Sequence, residues 1–248
     1  MIEVRSLSYR YPGSSMDALR EVDAHFEEGG FVAVMGSNGS GKSTLAQCLN
    51  GLLHATSGEV LVDGLNTNDK SSLTEIRRRV GMIFQDPNLQ LTSVTVEREL
   101  AFGLENLGVD REEMHKRVEA QLKLFNLEEC RRSAPSILSG GEKQRLAIAS
   151  VMLLEPYYLI LDEATSLLSL MWRKSLIDII ARERVKKKIG IVLITQFASE
   201  ALLAGRLIVL SSGRIFFDDT PREVFSHVDE LLSIGVAVPI RARLERLL

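Results

Sequence analysis

Short apolar runs recur along the chain, separated by stretches with helical spacing. Phe31–Met35 reads as a strand, followed by a glycine-rich turn and a helix through Leu49. Gly58–Asp63 and Val80–Phe84 read as further strands. Leu159–Leu161, led by Tyr157 and Tyr158, reads as a buried strand bounded by Pro156 and Asp162. Ile191–Thr195 and Leu207–Leu210 continue the series. Strands this apolar, alternating with helices, indicate an α/β fold on a parallel sheet covered on both faces. Ser211-Ser212-Gly213 reads as a hairpin turn between Leu207–Leu210 and Ile215–Phe217.

The middle of the chain has a different rhythm. From about Thr95 to Phe125 the pattern is helical, with Met114, Val118, Leu122 and Phe125 on one face. Glu112, Glu113, Lys116, Arg117 and Glu119 fill the opposite face, as expected of a solvated helix surface. This block reads as a helical insert in the α/β core. Lys186-Lys187-Lys188 reads as a solvated helix end, where cations are favoured.

Composition narrows the class. The chain has 248 residues, enough for one large domain or a core with an inserted subdomain. It is 45% apolar and 25% charged, ordinary for a soluble globular protein. A net charge of −3 gives no electrostatic footprint for nucleic acid. Cys48 and Cys130 form neither a CxxC pair nor a metal spacing, which favours a reducing cytosol. The most apolar stretch, Leu146 to Leu161, is interrupted by Ser150, Glu155 and Pro156, so no membrane span is expected. The start, MIEVRSLSYRYPG, carries Glu3 and has no apolar core, so it does not read as a signal peptide.

The candidate chemistry sits in three motifs. Gly36-Ser37-Asn38-Gly39-Ser40-Gly41-Lys42-Ser43-Thr44 matches the phosphate-binding pattern G-x-x-x-x-G-K-S/T and lies between an apolar strand and a helix, the context it requires. Glycines let backbone amides turn towards phosphate oxygens, and the helix adds its positive end. Lys42 supplies charge to the β and γ phosphates, and Ser43 is a magnesium ligand candidate. In Leu159-Ile160-Leu161-Asp162-Glu163, a buried strand ends in Asp162, placing a carboxylate at the magnesium site, and Glu163 follows as general base. In Leu138-Ser139-Gly140-Gly141-Glu142-Lys143-Gln144-Arg145, two glycines open a helix whose first amides are free for an anion; an ordinary helix cap at Ser139 is the alternative.

Together these motifs make the chain resemble the ATP-binding-cassette family over nearly its whole length. The resemblance implies a RecA-like P-loop NTPase core with a mixed sheet, an N-terminal antiparallel β-subdomain and an inserted α-helical subdomain. In one domain, residues 1–85 and 156–220 would form the nucleotide-binding core, 86–155 the helical and signature subdomain, and 221–248 a C-terminal tail. The resemblance also implies an ATPase using ATP and Mg2+. Two subunits would close head to tail on two ATP molecules, with Ser139, Gly140, Gly141 and Glu142 of one meeting the γ-phosphate held by the other. Tyr11, in YRYPG, matches the aromatic that stacks on adenine; a half-buried strand tyrosine is the alternative. Gln85, in IFQDP, matches the glutamine that reaches magnesium and the attacking water.

Two stretches narrow the branch. FQDPNLQLTSVTVERELAFGLENLG (84–108) and the tail TPREVFSHVDELLSIGVAVPIRARLERLL (220–248) resemble ATPases of energy-coupling factor transporters, which import vitamins or transition-metal ions. The implied setting is the cytoplasmic face of the cell membrane. The implied partners are a second ATPase, the same chain or a paralogue, with a transmembrane coupling subunit and a substrate-capturing membrane subunit. Residues around Asp86–Leu100 would face the transmembrane partner, or else pack the helical subdomain. Leu231, Leu232, Ile234 and Val236 would pack the chain's own core or the partner ATPase. A third alternative, a repair or translation ATPase of the same family, fits less well, since those carry long coiled coils or paired cassettes and this chain reads as a single compact cassette with net charge −3.

Two positions depart from the family. Gln196 stands where a histidine usually contacts the γ-phosphate; none of the four histidines, His25, His54, His115 and His227, lies near this strand end in sequence. Gln196 can donate an amide hydrogen bond but carries no positive charge. Ser169 replaces an aspartate that orders the dimer interface. Losing a positioned catalytic group costs roughly 10²–10⁴ in rate. The alternative function is therefore a catalytically weak, nucleotide-clamping subunit paired with an active paralogue.

Overall fold

The computed structural model describes residues 1–245. Its first half runs β1 (Ile2–Tyr9), β2 (Leu19–Phe26), β3 (Phe31–Met35), α1 (Lys42–Leu49), β4 (Ser57–Val62), β5 (Leu65–Asn66), α2 (Leu73–Arg79), β6 (Val80–Ile83), α3 (Val96–Asn106) and α4 (Arg111–Leu124). The second half runs α5 (Gly140–Leu153), β7 (Tyr158–Asp162), α6 (Leu170–Lys187), β8 (Gly190–Ile194), α7 (Ala198–Ala201), β9 (Arg206–Ser211), β10 (Arg214–Asp219), α8 (Pro221–Val224), α9 (Val228–Ser233) and α10 (Ile240–Glu245).

Six strands form a mixed sheet in the order β10-β9-β3-β8-β7-β6; the pairs from β9 to β6 are parallel and β10 is antiparallel. Four others form an antiparallel sheet, β2-β1-β4-β5. The large sheet separates two cores, and successive residues of its strands enter them alternately. Val32 and Val34 join the core shared with the antiparallel sheet and α1, while Ala33 and Met35 face the core shared with α3, α4, α5 and α6. Tyr158 and Ile160 alternate with Leu159 and Leu161 in the same way. This two-sided burial is why these strands read as unbroken apolar runs. The hairpin joining β9 to β10 turns at Ser212 and Gly213, both with positive φ (50° and 79°), the twist that suits a two-residue hairpin turn.

The helical pattern expected over 95–125 forms two helices, α3 and α4. Gly108 takes φ +69°, where a Cβ is disfavoured, and the Val109 amide closes back on the Leu104 carbonyl. Thr95 and Asp110 cap the two N-termini through their side chains. The expected face is correct: Val118, Leu122 and Phe125 are buried and Met114 packs against them. At the end of α6, Lys186, Lys187 and Lys188 are exposed, and Lys187 pairs with Glu155 and Glu183 at 2.7 and 3.3 Å. In the tail, Leu231 and Val236 are buried in the chain's own core, whereas Leu232 is exposed because it falls on the outer face of α9. Residues 246–248 lie outside the described residues.

Candidate nucleotide-binding site

Every parallel strand that carries candidate chemistry delivers it at its C-terminal end, where loops leave the sheet. β3 leads into the glycine loop, β6 precedes Gln85, β7 ends in Asp162, and β8 precedes Gln196. The turn demands glycine: a Cβ on Gly36 would lie 2.4 Å from Leu210 O, and Gly41 has φ +105° with Ala18 O 2.6 Å from a Cβ position. The loop leads straight into α1, which begins at Lys42.

A cavity of about 420 Å³ lies over this loop. Tyr11, Lys42 and Thr44 line it together with Gln85, Glu163 and Gln196. The Tyr11 hydroxyl is 3.0 Å from Thr44 Oγ1, and its ring, 42% exposed, meets Tyr9 edge to face. Ala18, Asn38, Gly39, Gly41 and Ser43 complete the lining. Gly36 and Ser37 border an adjacent cavity of about 220 Å³, shared with Gln196, Gly235 and Val236, and Ser40 is buried beneath the loop.

Lys42 is 5% exposed and donates to the carbonyls of Gly36 and Ser37 at 2.9 and 3.0 Å. Burial pushes its ammonium pKa down, while Glu163 and Asp162 hold it up. Asp162 is 4% exposed, and burial pushes its carboxyl up, opposed by the hydrogen bond that Ser43 Oγ donates to its Oδ1 at 3.0 Å. Two hard oxygen donors this close, one on a carboxylate that burial destabilises as an anion, fit a divalent cation. Magnesium takes few protein ligands when phosphates and water supply the rest.

Glu163 is the point of convergence. Its backbone takes φ +48°, costly for a residue with a Cβ, and its amide donates to Ile194 O at 3.1 Å. Gln196 Nε2 donates to both its carboxylate oxygens at 3.0 and 3.1 Å, and to Asn38 Oδ1 at 3.3 Å. Gln85 Nε2 donates to Glu163 Oε2 at 3.1 Å, and Lys42 Nζ is 3.9 Å from Oε1. Gln85 thus meets Glu163 directly, while Ser43 and Asp162 form a separate hydroxyl–carboxylate pair.

The signature residues do not join this cavity within one chain. Ser139 caps α5 in a reciprocal box with Glu142: the Glu142 amide donates to Ser139 Oγ at 3.3 Å, and Ser139 N donates to Glu142 Oε2 at 2.9 Å. Ser139 and Gly140 are exposed, next to Gly141. Two features escaped the sequence reading. Ser169, noted as a lost aspartate, is the N-cap of α6, its Oγ accepting from Trp172 N at 3.4 Å. Buried Glu200 contacts the segments carrying Glu163 and Gln196; a lone acid in an otherwise ordinary short helix gave no signal.

The parallel sheet, the glycine loop opening α1 and the Ser43–Asp162 pair together define a P-loop nucleotide-binding protein. The ABC transporter family model matches residues 19–166, and the chain belongs to that family. It is 44% identical over 246 residues to the energy-coupling factor transporter ATP-binding protein EcfA1 of Ligilactobacillus salivarius, covering 99% of this chain and 87% of that protein. Among solved structures it is similar to CbiO1 of Clostridium perfringens, part of the ABC transporter complex CbiONQ (TM-score 0.81, 31% identity, 99% of this chain and 98% of that one). It is also similar to the dimeric ATP-binding cassette MJ0796 in a post-hydrolysis state with ADP and Pi (TM-score 0.83, 29% identity, 90% and 99%).

Proposed function

We propose that this chain is the ATP-hydrolysing subunit of an energy-coupling-factor importer for a vitamin or transition-metal ion. It would work at the cytoplasmic face of the membrane as half of an ATPase pair. The observation that carries the reading is the convergence of Gln85 and Gln196 on Glu163, opposite Lys42, in one cavity. Tyr11 stacks on adenine with its hydroxyl anchored at Thr44. Amides of the 36–44 loop and Lys42 hold the phosphates. Ser43 and Asp162, with Gln85 as a further candidate ligand, would hold Mg2+, which would neutralise charge on the β and γ oxygens.

Glu163 accepts a proton from water as that water's oxygen bonds the γ-phosphorus. The bond from phosphorus to the β–γ bridging oxygen breaks, leaving ADP and phosphate. Gln196 and Gln85 orient the Glu163 carboxylate. Ser139, Gly140, Gly141 and Glu142 serve the partner's nucleotide, since none of them lines this chain's cavity. ATP therefore joins the two subunits and hydrolysis releases them.

The partner-facing surface has support on this chain. Leu89 and Val94 are 74% and 69% exposed, beside a cavity of about 420 Å³ lined by Leu91, Pro135 and Lys143. Lys143 donates to Asn88 Oδ1 at 2.9 Å and Gln144 to Phe84 O at 3.3 Å, tying this surface to the signature helix and to the Gln85 segment. Among the described residues no helix is long and apolar enough to cross a membrane, so the span belongs to the partners in this reading.

The test is Mg2+-dependent ATP hydrolysis by the purified chain and by the chain co-expressed with its genomic neighbours. Turnover is expected in both settings, and Glu163→Gln should lower it by roughly 10²–10⁴ while ATP still binds. ATP binding without turnover in either setting overturns the reading. Turnover only in the complex would favour the nucleotide-clamping alternative.

A further inference from the structure

Glu200 is 3% exposed and does not line the nucleotide cavity. Its Oε2 accepts from two buried hydroxyls, Thr165 Oγ1 at 3.1 Å and Thr195 Oγ1 at 2.5 Å. Thr165 follows Glu163 by two residues, and Thr195 immediately precedes Gln196. Glu200 Oε1 lies 3.5 Å from Arg173 Nε, an ion pair outside hydrogen-bond geometry. The Arg173 guanidinium also lies 3.6 Å over the ring of Phe197, whose amide donates to Thr195 Oγ1 at 3.0 Å. One buried carboxylate oxygen therefore joins the loop that holds the base to the segment that holds Gln196, and both neighbours of Gln196 are pinned.

Such an arrangement is poor economy for stability alone. A buried ion pair is often no better for stability than apolar packing of the same volume; what it can supply is fixed geometry where a site demands it. That demand is evident here. Glu163 must hold a left-handed backbone, and Gln196, a neutral amide, has no charge to draw it to the carboxylate. An amide hydrogen bond at 3.0 Å weakens steeply once its partner shifts or turns.

The geometry points to Glu200 as a positioning residue for ATP hydrolysis: by tying Thr165 to Thr195 it sets Gln196 Nε2 against the Glu163 carboxylate. This rests on Glu163 and Gln196 acting as proposed above. None of the side-chain partners of Glu200, Thr165, Thr195 and Arg173, lines the nucleotide cavity, so its effect belongs in kcat and not in KM.

The test uses the full chain, co-expressed with its neighbours, carrying Glu200→Gln, Thr195→Val or Thr195→Ser. Glu200→Gln and Thr195→Val should lower kcat by about 10²-fold, as for a catalytic group displaced by about 1 Å, with KM for Mg-ATP within about twofold. Thr195→Ser keeps the hydroxyl and should restore most of the rate. In a Gln196→Ala background, Glu200→Gln should cost little more, because the two act through one contact. Amide hydrogen exchange, which needs no turnover, should quicken together in residues 164–168 and 195–198 of Glu200→Gln. A wild-type protein without turnover would sink the functional reading; the joint exchange response would then decide the clamp. Wild-type kcat in Glu200→Gln, or exchange changed in neither segment, overturns the proposal. So do additive losses with Gln196→Ala. If Glu200→Gln does not fold, the Thr195→Val and Thr195→Ser pair decides, and equal rates in the two overturn it.

Discussion

Ser169, where the family resemblance implies an aspartate, has a structural role of its own as the N-cap of α6. Serine and aspartate are both strong helix N-caps, and Ser169 Oγ accepts the Trp172 amide at the start of α6. Ser169→Ala should destabilise the protein by about 1 kcal/mol in thermal or urea unfolding, and Ser169→Asp should be close to neutral. If Ser169→Asp also raises ATP turnover of the paired enzyme, the missing carboxylate limits the rate; unchanged turnover means that the cap is what matters here. Gln196 allows a similar comparison. Its amide already reaches both oxygens of Glu163, so Gln196→Ala should cost far more rate than Gln196→His, measured as kcat at saturating Mg-ATP.

Elements in this molecule are stopped and joined by local chemistry that outweighs periodicity. The apolar spacing runs on through 95–125, but Gly108 and the caps at Thr95 and Asp110 divide it, so α4 can fold back against α3 and α5. Leu122, 1% exposed in that packing, should cost about 2–5 kcal/mol when changed to alanine. Glu155 joins three helices from the turn after α5, pairing with Lys187 at 2.7 Å and Arg117 at 3.9 Å. Its hydrogen bond from Lys187 holds its carboxyl below the usual glutamate range. A carboxyl with a depressed folded pKa stabilises the protein above its unfolded pKa, and that contribution is lost as pH falls through the folded value. Glu155→Gln should therefore lower the melting temperature slightly at pH 7. The two proteins should converge in acid below the ordinary glutamate range, which thermal scans across pH would read. The pair is half-exposed, so the difference should stay within about 1 kcal/mol.

At the scale of the whole molecule, one sheet serves two cores and one site. The tail closes part of the arrangement: Val228, Leu231, Val236 and Val238 enter the core that holds Leu207 and Val209 of β9, and Gly235 lines a cavity together with Ser37 of the phosphate loop. Removing residues 228–245 should lower the melting temperature and weaken ATP binding together, as calorimetry would show. Separate effects would mean that the tail braces only the core.

The sequence by itself determined much of this. Apolar runs buried on both faces marked the parallel strands, although Gly58–Asp63, read in the same series, pairs in the antiparallel sheet; the glycine loop and the strand ending in Asp162 were legible because each is a local pattern with a local physical cause. The turn at 212–213 and the face of α4 were legible for the same reason. What only the tertiary structure decided is how distant segments meet. Gln85 and Glu163 are 78 residues apart, Gln196 and Glu163 33, and Thr165 and Glu200 35, and no local spacing records those contacts. Strand order brings them together: β7 lies between β6 and β8, so the residues leaving their C-terminal ends must converge on Glu163.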